Sequence, residues 1–188
     1  FDWHTNCSHL ETGTGCGGIT NTYQFILKVL DDYCPAPGIN ISTISIVVLN
    51  AILEEPELRC ISVDESGDVI LNWEPADTSE IPNTFNSYHI YTSTNPNGPY
   101  LKVDSVFNYN TTSYTHVGAN ASTIPRYYYL KTRSGCYGSF YSRTSDTLRT
   151  INLSVNNIGA NTAELNWNTN HTPLLPTASG IYDIYFED

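Results

Sequence analysis

One phrase of this sequence is written twice. Val69-Ile70-Leu71-Asn72-Trp73-Glu74-Pro75 leads to Ser87-Tyr88-His89-Ile90-Tyr91, and Ala163-Glu164-Leu165-Asn166-Trp167-Asn168 leads to Ile181-Tyr182-Asp183-Ile184-Tyr185. The two tryptophans, and the tyrosines Tyr88 and Tyr182, are each 94 residues apart. A repeat of that length is a whole domain, so the chain is a tandem array of domains. Within each copy apolar and polar residues alternate, the period of half-buried β-strands. The second copy starts near Ile151 and has too few residues to complete what the first contains. The chain also opens without Met inside a strand-like run, so it is expected to be a piece of a longer polypeptide, cut inside a domain at both ends.

Charge excludes some partners. Eight Lys and Arg stand against 19 Asp and Glu, a net −11. Nucleic acid needs clustered cations to displace counterions, and an anionic membrane surface needs a basic patch. Neither is expected as a partner. No apolar run is long enough to span a bilayer. Charged residues make up 14% of the chain, and Ser, Thr, Asn and Tyr replace them, which suits β-sheet with polar loops.

Taken in order, residues 1–55 read as a strand over Thr22–Val29, a turn at Asp31-Asp32-Tyr33-Cys34-Pro35-Ala36-Pro37-Gly38, and a second strand over Ile41–Leu49. Ile44, Ile46 and Val48 fall on one face of that strand, and Thr43, Ser45 and Val47 on the other. This closing hairpin resembles the C-terminal part of a PKD-like or cadherin-like sandwich. Glu54-Glu55-Pro56-Glu57 follows as a short acidic linker. Residues 56–150 hold seven expected strands, at 58–64, 68–74, 86–92, 100–105, 112–117, 126–134 and 140–149. That count in that length is an Ig-like β-sandwich. Trp73 on the second strand, Tyr88 opening the third, and Tyr128-Tyr129-Leu130-Lys131-Thr132 resemble fibronectin type III domains, with Tyr128 at the corner-tyrosine position. The family's usual Leu before that strand is replaced by Ala121-Ser122-Thr123-Ile124. Residues 151–188 repeat the opening, with strands at 151–158, 162–168 and 181–187, as the N-terminal part of a second type III-like domain. The expected fold class is therefore all-β: tandem Ig-like β-sandwiches, one complete fibronectin type III-like domain flanked by partial sandwiches. Trp73, Tyr88, Tyr128, Trp167 and Tyr182 are its structural core residues.

Five cysteines sit in turn-like contexts without a Cys-x-x-Cys pair, alongside six Asn-x-Ser/Thr sequons from Asn6 to Asn170. This points to an oxidising, extracellular setting. The type III topology implies that Cys60 and Cys136 lie near one pole and form a disulfide. Their separation is 76 residues, a loop whose closure contributes about 4 kcal/mol in the chain-entropy model. The strand between Cys16 and Cys34 holds them roughly 20 Å apart if extended. That favours a local Cys7–Cys16 bridge, with Cys34 pairing upstream and Cys7–Cys34 as the rival.

Other residue types suggest chemistry more weakly. His4, Cys7, His9 and Cys16 carry zinc donors, but their spacing matches no standard motif. Asp31 and Asp32, or Glu54, Glu55 and Glu57, are calcium candidates by ligand type alone, with a solvated acidic loop as the plainer reading; no other cofactor is expected. There is no nucleophile elbow, zincin motif or phosphate loop, so no catalytic residue is nominated and the chain is read as non-enzymatic. His89 reads as an outward-facing sheet residue. Among 14 tyrosines, Tyr127, Tyr129, Tyr137 and Tyr141 form a candidate aromatic binding surface.

The whole chain resembles arrays of PKD-like and type III-like domains in very large bacterial cell-surface adhesins, including those of gliding bacteria exported by type IX secretion. The carriers are Asp31-Asp32-Tyr33-Cys34-Pro35-Ala36-Pro37, Arg59-Cys60-Ile61-Ser62-Val63 and Tyr91-Thr92-Ser93-Thr94-Asn95-Pro96-Asn97-Gly98-Pro99-Tyr100. Asp104-Ser105-Val106 and Asp146-Thr147-Leu148 resemble that group's O-glycosylation acceptor, which implies Ser105 and Thr147 as modified residues. The resemblance implies a spacer segment presenting a distal binding region. Its partners would be other domains of the same chain, secretion or surface-assembly proteins, and an unidentified protein or glycan ligand. An accessory region of a secreted protease or glycosidase is the alternative, and a eukaryotic receptor ectodomain a second one.

Overall fold

A computed structural model describes residues 2–10, 20–32, 35–78, 84–172, 175–176 and 179–185. The central unit is a two-sheet sandwich. One sheet holds β3 (Glu57–Val63), β4 (Val69–Glu74) and β7 (Ser113–His116), in the order β3-β4-β7. The other holds β5 (Phe85–Ser93), β6 (Leu101–Val106), β8 (Tyr127–Ser134) and β10 (Leu148–Arg149), in the order β10-β8-β5-β6, with the two-residue β9 (Phe140–Tyr141) also on β8. All pairs are antiparallel. This is the strand order of a fibronectin type III-like sandwich.

Alternation builds the core. Leu58, Ile61, Val69, Leu71 and Trp73 on the first sheet meet Tyr88, Ile90, Tyr128, Leu130 and Leu148 on the second, all buried. Trp73 packs edge-on against Tyr88 at 5.6 Å, and Phe85 lies 4.6 Å from Tyr88. The Tyr88 hydroxyl donates to the Tyr109 carbonyl at 3.3 Å, and Tyr109 donates to the Ala76 carbonyl at 2.7 Å. Burial pushes the Tyr88 phenol well above its ordinary range. At the corner position Tyr128 is fully buried, and its hydroxyl pairs with His116 Nδ1 at 2.7 Å. The corner is thus closed across to β7 by a side chain.

The seventh expected strand, 140–149, is split. Between β9 and β10, Ser142 Oγ accepts the Thr132 N–H and Ser145 Oγ accepts the Leu130 N–H, both at 2.9 Å. Their own N–H groups donate to the Thr132 and Leu130 carbonyls at 2.8 and 2.9 Å. Two serine hydroxyls therefore replace backbone carbonyls in the ladder, and β8 keeps its amides satisfied beside a strand that bulges away.

Two hairpins flank the sandwich. β1 (Thr20–Leu30) pairs with β2 (Ile39–Leu49) in continuous register, Thr20 opposite Leu49 and Leu30 opposite Ile39. That register places Tyr23, Phe25, Ile44, Ile46 and Val48 on one face, where Trp3 packs 5.1 Å from both Tyr23 and Phe25. β11 (Leu153–Gly159) pairs with β12 (Thr162–Trp167) and repeats β3–β4. Trp167 meets Tyr182 at 5.9 Å and 60°, against 5.6 Å and 68° for Trp73 and Tyr88, so the repeat extends to the packing of its aromatic pair. The strand expected at 181–187 is not formed over residues 181–185, where no neighbouring strand supplies a ladder; its last residues lie outside those described.

The acidic linker is docked. Leu53 and Pro56 are buried against the central core, and the Leu53 N–H donates to Ser134 Oγ at 2.9 Å.

Candidate binding surface

The outer face of the β10-β8-β5-β6 sheet collects the chain's aromatic and basic residues. β8 alternates strictly: Tyr128, Leu130, Thr132 and Ser134 are buried, while Tyr127, Tyr129, Lys131 and Arg133 point the other way and are half-buried. Register then sets Tyr91 opposite Tyr129, His89 opposite Lys131 and Ser87 opposite Arg133. Tyr91 and Tyr129 stack at 4.9 Å and 23°, and Tyr100 leans on Tyr129 at 4.7 Å. His89 meets Tyr141 edge-on at 5.2 Å, and the Arg133 guanidinium lies 5.7 Å from the Tyr141 ring centre. Arg133 Nε also donates to the Gly138 carbonyl. Burial, then the neighbouring phenols Tyr141 and Tyr129, raise the Tyr91 hydroxyl above its usual range; burial and Tyr129 do the same for Tyr100, whose side chain is also hydrogen-bonded to Thr147.

Of the expected aromatic residues, the sheet brings Tyr127, Tyr129 and Tyr141 onto this face and leaves Tyr137 out. Tyr137 lies at φ 58° in the turn after β8, beside the N-terminal segment. Tyr91 and Tyr100 join the surface unannounced, because only cross-strand packing places them there. Ser105, opposite His89 on β6, and Thr147 border the same face.

His89 faces away from the core, as expected, yet it is buried under this aromatic layer. Its Nε2 lies 3.1 Å from Ser87 Oγ, the contact a nucleophile makes with its base. Ser87 is itself fully buried and donates to Asn86 Oδ1 at 3.0 Å, and His89 Nδ1 has no hydrogen-bond partner among the described residues to orient it. Burial lowers the His89 pKa, and Lys102 and Arg133 lower it further. The pair is a packed polar contact, closed to substrate.

The cysteines are joined differently from the expectation. Cys7 is bonded to Cys136, with Cα atoms 5.5 Å apart, and Cys60 is a free, exposed thiol. Cys60 shares a cleft with Leu148, which pairs with Tyr128 at the start of β8. Cys136 lies beyond Ser134 at the other end of that strand, roughly 25 Å away at ~3.3 Å per residue, too far for the expected Cys60–Cys136 bridge. The local Cys7–Cys16 bridge is displaced because Asn50, just past β2, accepts the Cys136 N–H at 3.0 Å. That contact brings the base of the hairpin, with its 3-10 turn Cys7–Leu10, against the turn after β8. Cys16 and Cys34 lie outside the described residues, and so does any bond between them.

The oxidised Cys7 cannot act as a zinc ligand, in keeping with the spacing argument against a His4, Cys7, His9 and Cys16 set. His4 lies 3.2 Å from Asp2, and His9 Nδ1 is 2.8 Å from Asn6 Oδ1. Among the described residues no three His, Cys, Asp or Glu side chains converge on a metal position. Asp31 braces its turn by accepting the Gly38 N–H at 2.7 Å, and Glu57 pairs with Arg59 at 2.9 Å. Glu54 and Glu55 line a cleft with Tyr141 and Arg143.

No protein-family model matches the chain, and no curated protein sequence does. Among solved structures, it is similar to a Fn3-like protein from Clostridium thermocellum, at 22% identity over 57% of this chain and 98% of that one, with a TM-score of 0.40. Domains A168–A170 of titin match at 14% identity over 66% of this chain and 38% of theirs, TM-score 0.41. Titin kinase with its flanking domains matches at 16% identity over 50% of this chain and 16% of that one, TM-score 0.36. The fold class rests on the strand order and core described above.

Proposed function

We propose that this chain is a non-catalytic spacer segment of a large secreted cell-surface adhesin, holding a distal binding region away from the cell. The observation that carries the reading is the joint between the first hairpin and the central sandwich. It is closed covalently by Cys7–Cys136 and filled by Leu53 and Pro56. A bond of this kind belongs to an oxidising compartment. The second joint is also fixed: Asn168 Nδ2 donates to the Thr150 carbonyl at 2.9 Å, the Arg149 N–H to the Asn170 carbonyl at 2.8 Å, and Asn152 Nδ2 to the Ala121 carbonyl at 3.1 Å. Successive sandwiches with docked joints keep their spacing, which is what a spacer supplies.

The test is small-angle scattering and peptide mapping of the chain with and without reductant. An oxidised chain bonded at Cys7–Cys136 is expected to keep one narrow distribution of dimensions, which broadens on reduction. A chain isolated fully reduced, with the same dimensions in both conditions, would overturn the reading.

A further inference from the structure

Charge is segregated on this molecule in a way its net value conceals. The five strands β5, β6, β8, β9 and β10 carry four cations, Lys102, Lys131, Arg133 and Arg149, and one carboxylate, Asp104. Asp104 is hydrogen-bonded to Tyr114 of the opposite sheet. Half of the chain's eight Lys and Arg therefore lie in one sheet of a protein whose net charge is −11. Lys131 and Arg133 point to the outer face through the alternation of β8, Arg149 does so as the partner of Tyr127, and Lys102 acts on His89. Between them lie the rings Tyr100, Tyr129 and Tyr91, with steps of 4.7 and 4.9 Å, and Tyr141, which packs over the buried His89 at 5.2 Å.

From this juxtaposition we propose that the outer face of the β10-β8-β5-β6 sheet binds an acidic polysaccharide, one bearing carboxylate or sulfate groups. Lys102 is exposed and Lys131 half-buried beside the rings, while Arg133 and Arg149 are fixed by donating Nε–H to the Gly138 and Thr169 carbonyls. Glu54 and Glu55 bound the face beyond Tyr141. Fixed cations concentrate positive potential over the sheet while the rest of the chain repels anions. Phenol rings offer both an apolar flank and a hydroxyl, the combination a sugar presents in return. Ser93, opposite Tyr127, and Ser105 add hydroxyls at two edges of the row. A protein strand or peptide is less suited, because the face offers side chains and no open backbone. Nucleic acid, which also stacks on aromatic residues, is disfavoured by the compartment in which Cys7–Cys136 persists.

The experiment is affinity electrophoresis of the full 188-residue chain through gels containing polygalacturonate, neutral dextran, polyglutamate or single-stranded oligo-dT. Retardation by polygalacturonate, and by none of the other three, is expected. Lys131→Gln and Tyr129→Leu should each weaken it about tenfold, while Lys28→Gln, which removes the same charge from the first hairpin, should leave it unchanged. Near-ultraviolet circular dichroism distinguishes a lost surface from a lost fold, and Lys131→Gln carries the test if Tyr129→Leu alters the spectrum. No retardation by polygalacturonate overturns the proposal. So does equal retardation by polyglutamate or oligo-dT, which would reduce the face to a general anion patch. An equal loss in Lys28→Gln does the same.

Discussion

At the scale of single residues, polar atoms decide more than the sequence reveals. Trp73 and Tyr88 are legible as core because alternation alone drives both inward, and they meet at 5.6 Å. The closure of Tyr128 onto His116 is not legible, since a hydroxyl finds its acceptor only once β7 and β8 are assembled. Tyr128→Phe leaves a half-buried imidazole nitrogen without its hydroxyl partner and is expected to cost about 0.5–1.5 kcal/mol in urea unfolding. His116 and His89 both have pKa values below the ordinary 6.5, each lowered first by burial; Arg126 lowers His116 further while Asp68 opposes it, and Lys102 and Arg133 lower His89. Below pH 6.5 the unfolded chain takes up protons that these two folded sites refuse. Their contribution to stability is therefore complete above 6.5 and falls as pH drops from 6.5 toward the folded values. Thermal melts at pH 7.5 and 5.5 should show a lower midpoint at 5.5; a midpoint that rises would contradict imidazoles that the fold keeps neutral.

Among elements, local pattern and long-range contact divide the outcome. The first six strands of the sandwich read directly from alternation and turn residues. The seventh does not, because Ser142 and Ser145 stand in for backbone carbonyls, a role no periodicity encodes. Replacing both by Ala leaves the Thr132 and Leu130 amides buried and unmet, with a loss of about 1–3 kcal/mol each expected in chemical denaturation. The acidic linker Glu54-Glu55-Pro56-Glu57 is legible from its composition, but the burial of Pro56 within it and of Leu53 just before it is not. Leu53→Ala is expected to cost about 2–5 kcal/mol and to expose residues 50–56 to protease; an uncleaved variant would argue against docking. The candidate surface was half visible. Tyr127, Tyr129 and Tyr141 are on the expected face, and Tyr91 and Tyr100 join them through pairing across strands.

On the scale of the whole molecule, the 94-residue repeat fixed the architecture, and it holds down to the Trp167–Tyr182 contact. Cysteine pairing escaped it, because the bond spans 129 residues and depends on how one unit folds back onto the next. That bond also sets where tension would travel. Pulled from its two ends, the chain transmits force from Cys7 straight to Cys136, so β1 to β8 are bypassed and cannot be drawn out. Only the stretch beyond Cys136 is free to lengthen. Single-molecule pulling of the oxidised chain should lack the extension of the bypassed 129 residues, about 460 Å at roughly 3.6 Å per residue. Addition of reductant should restore it, and identical traces in both conditions would contradict the bypass. Tyr91, Tyr100 and Tyr129 of the aromatic face lie inside the bypassed span, whereas Tyr141, Leu148 and Arg149 follow Cys136 and stay in the path of the force.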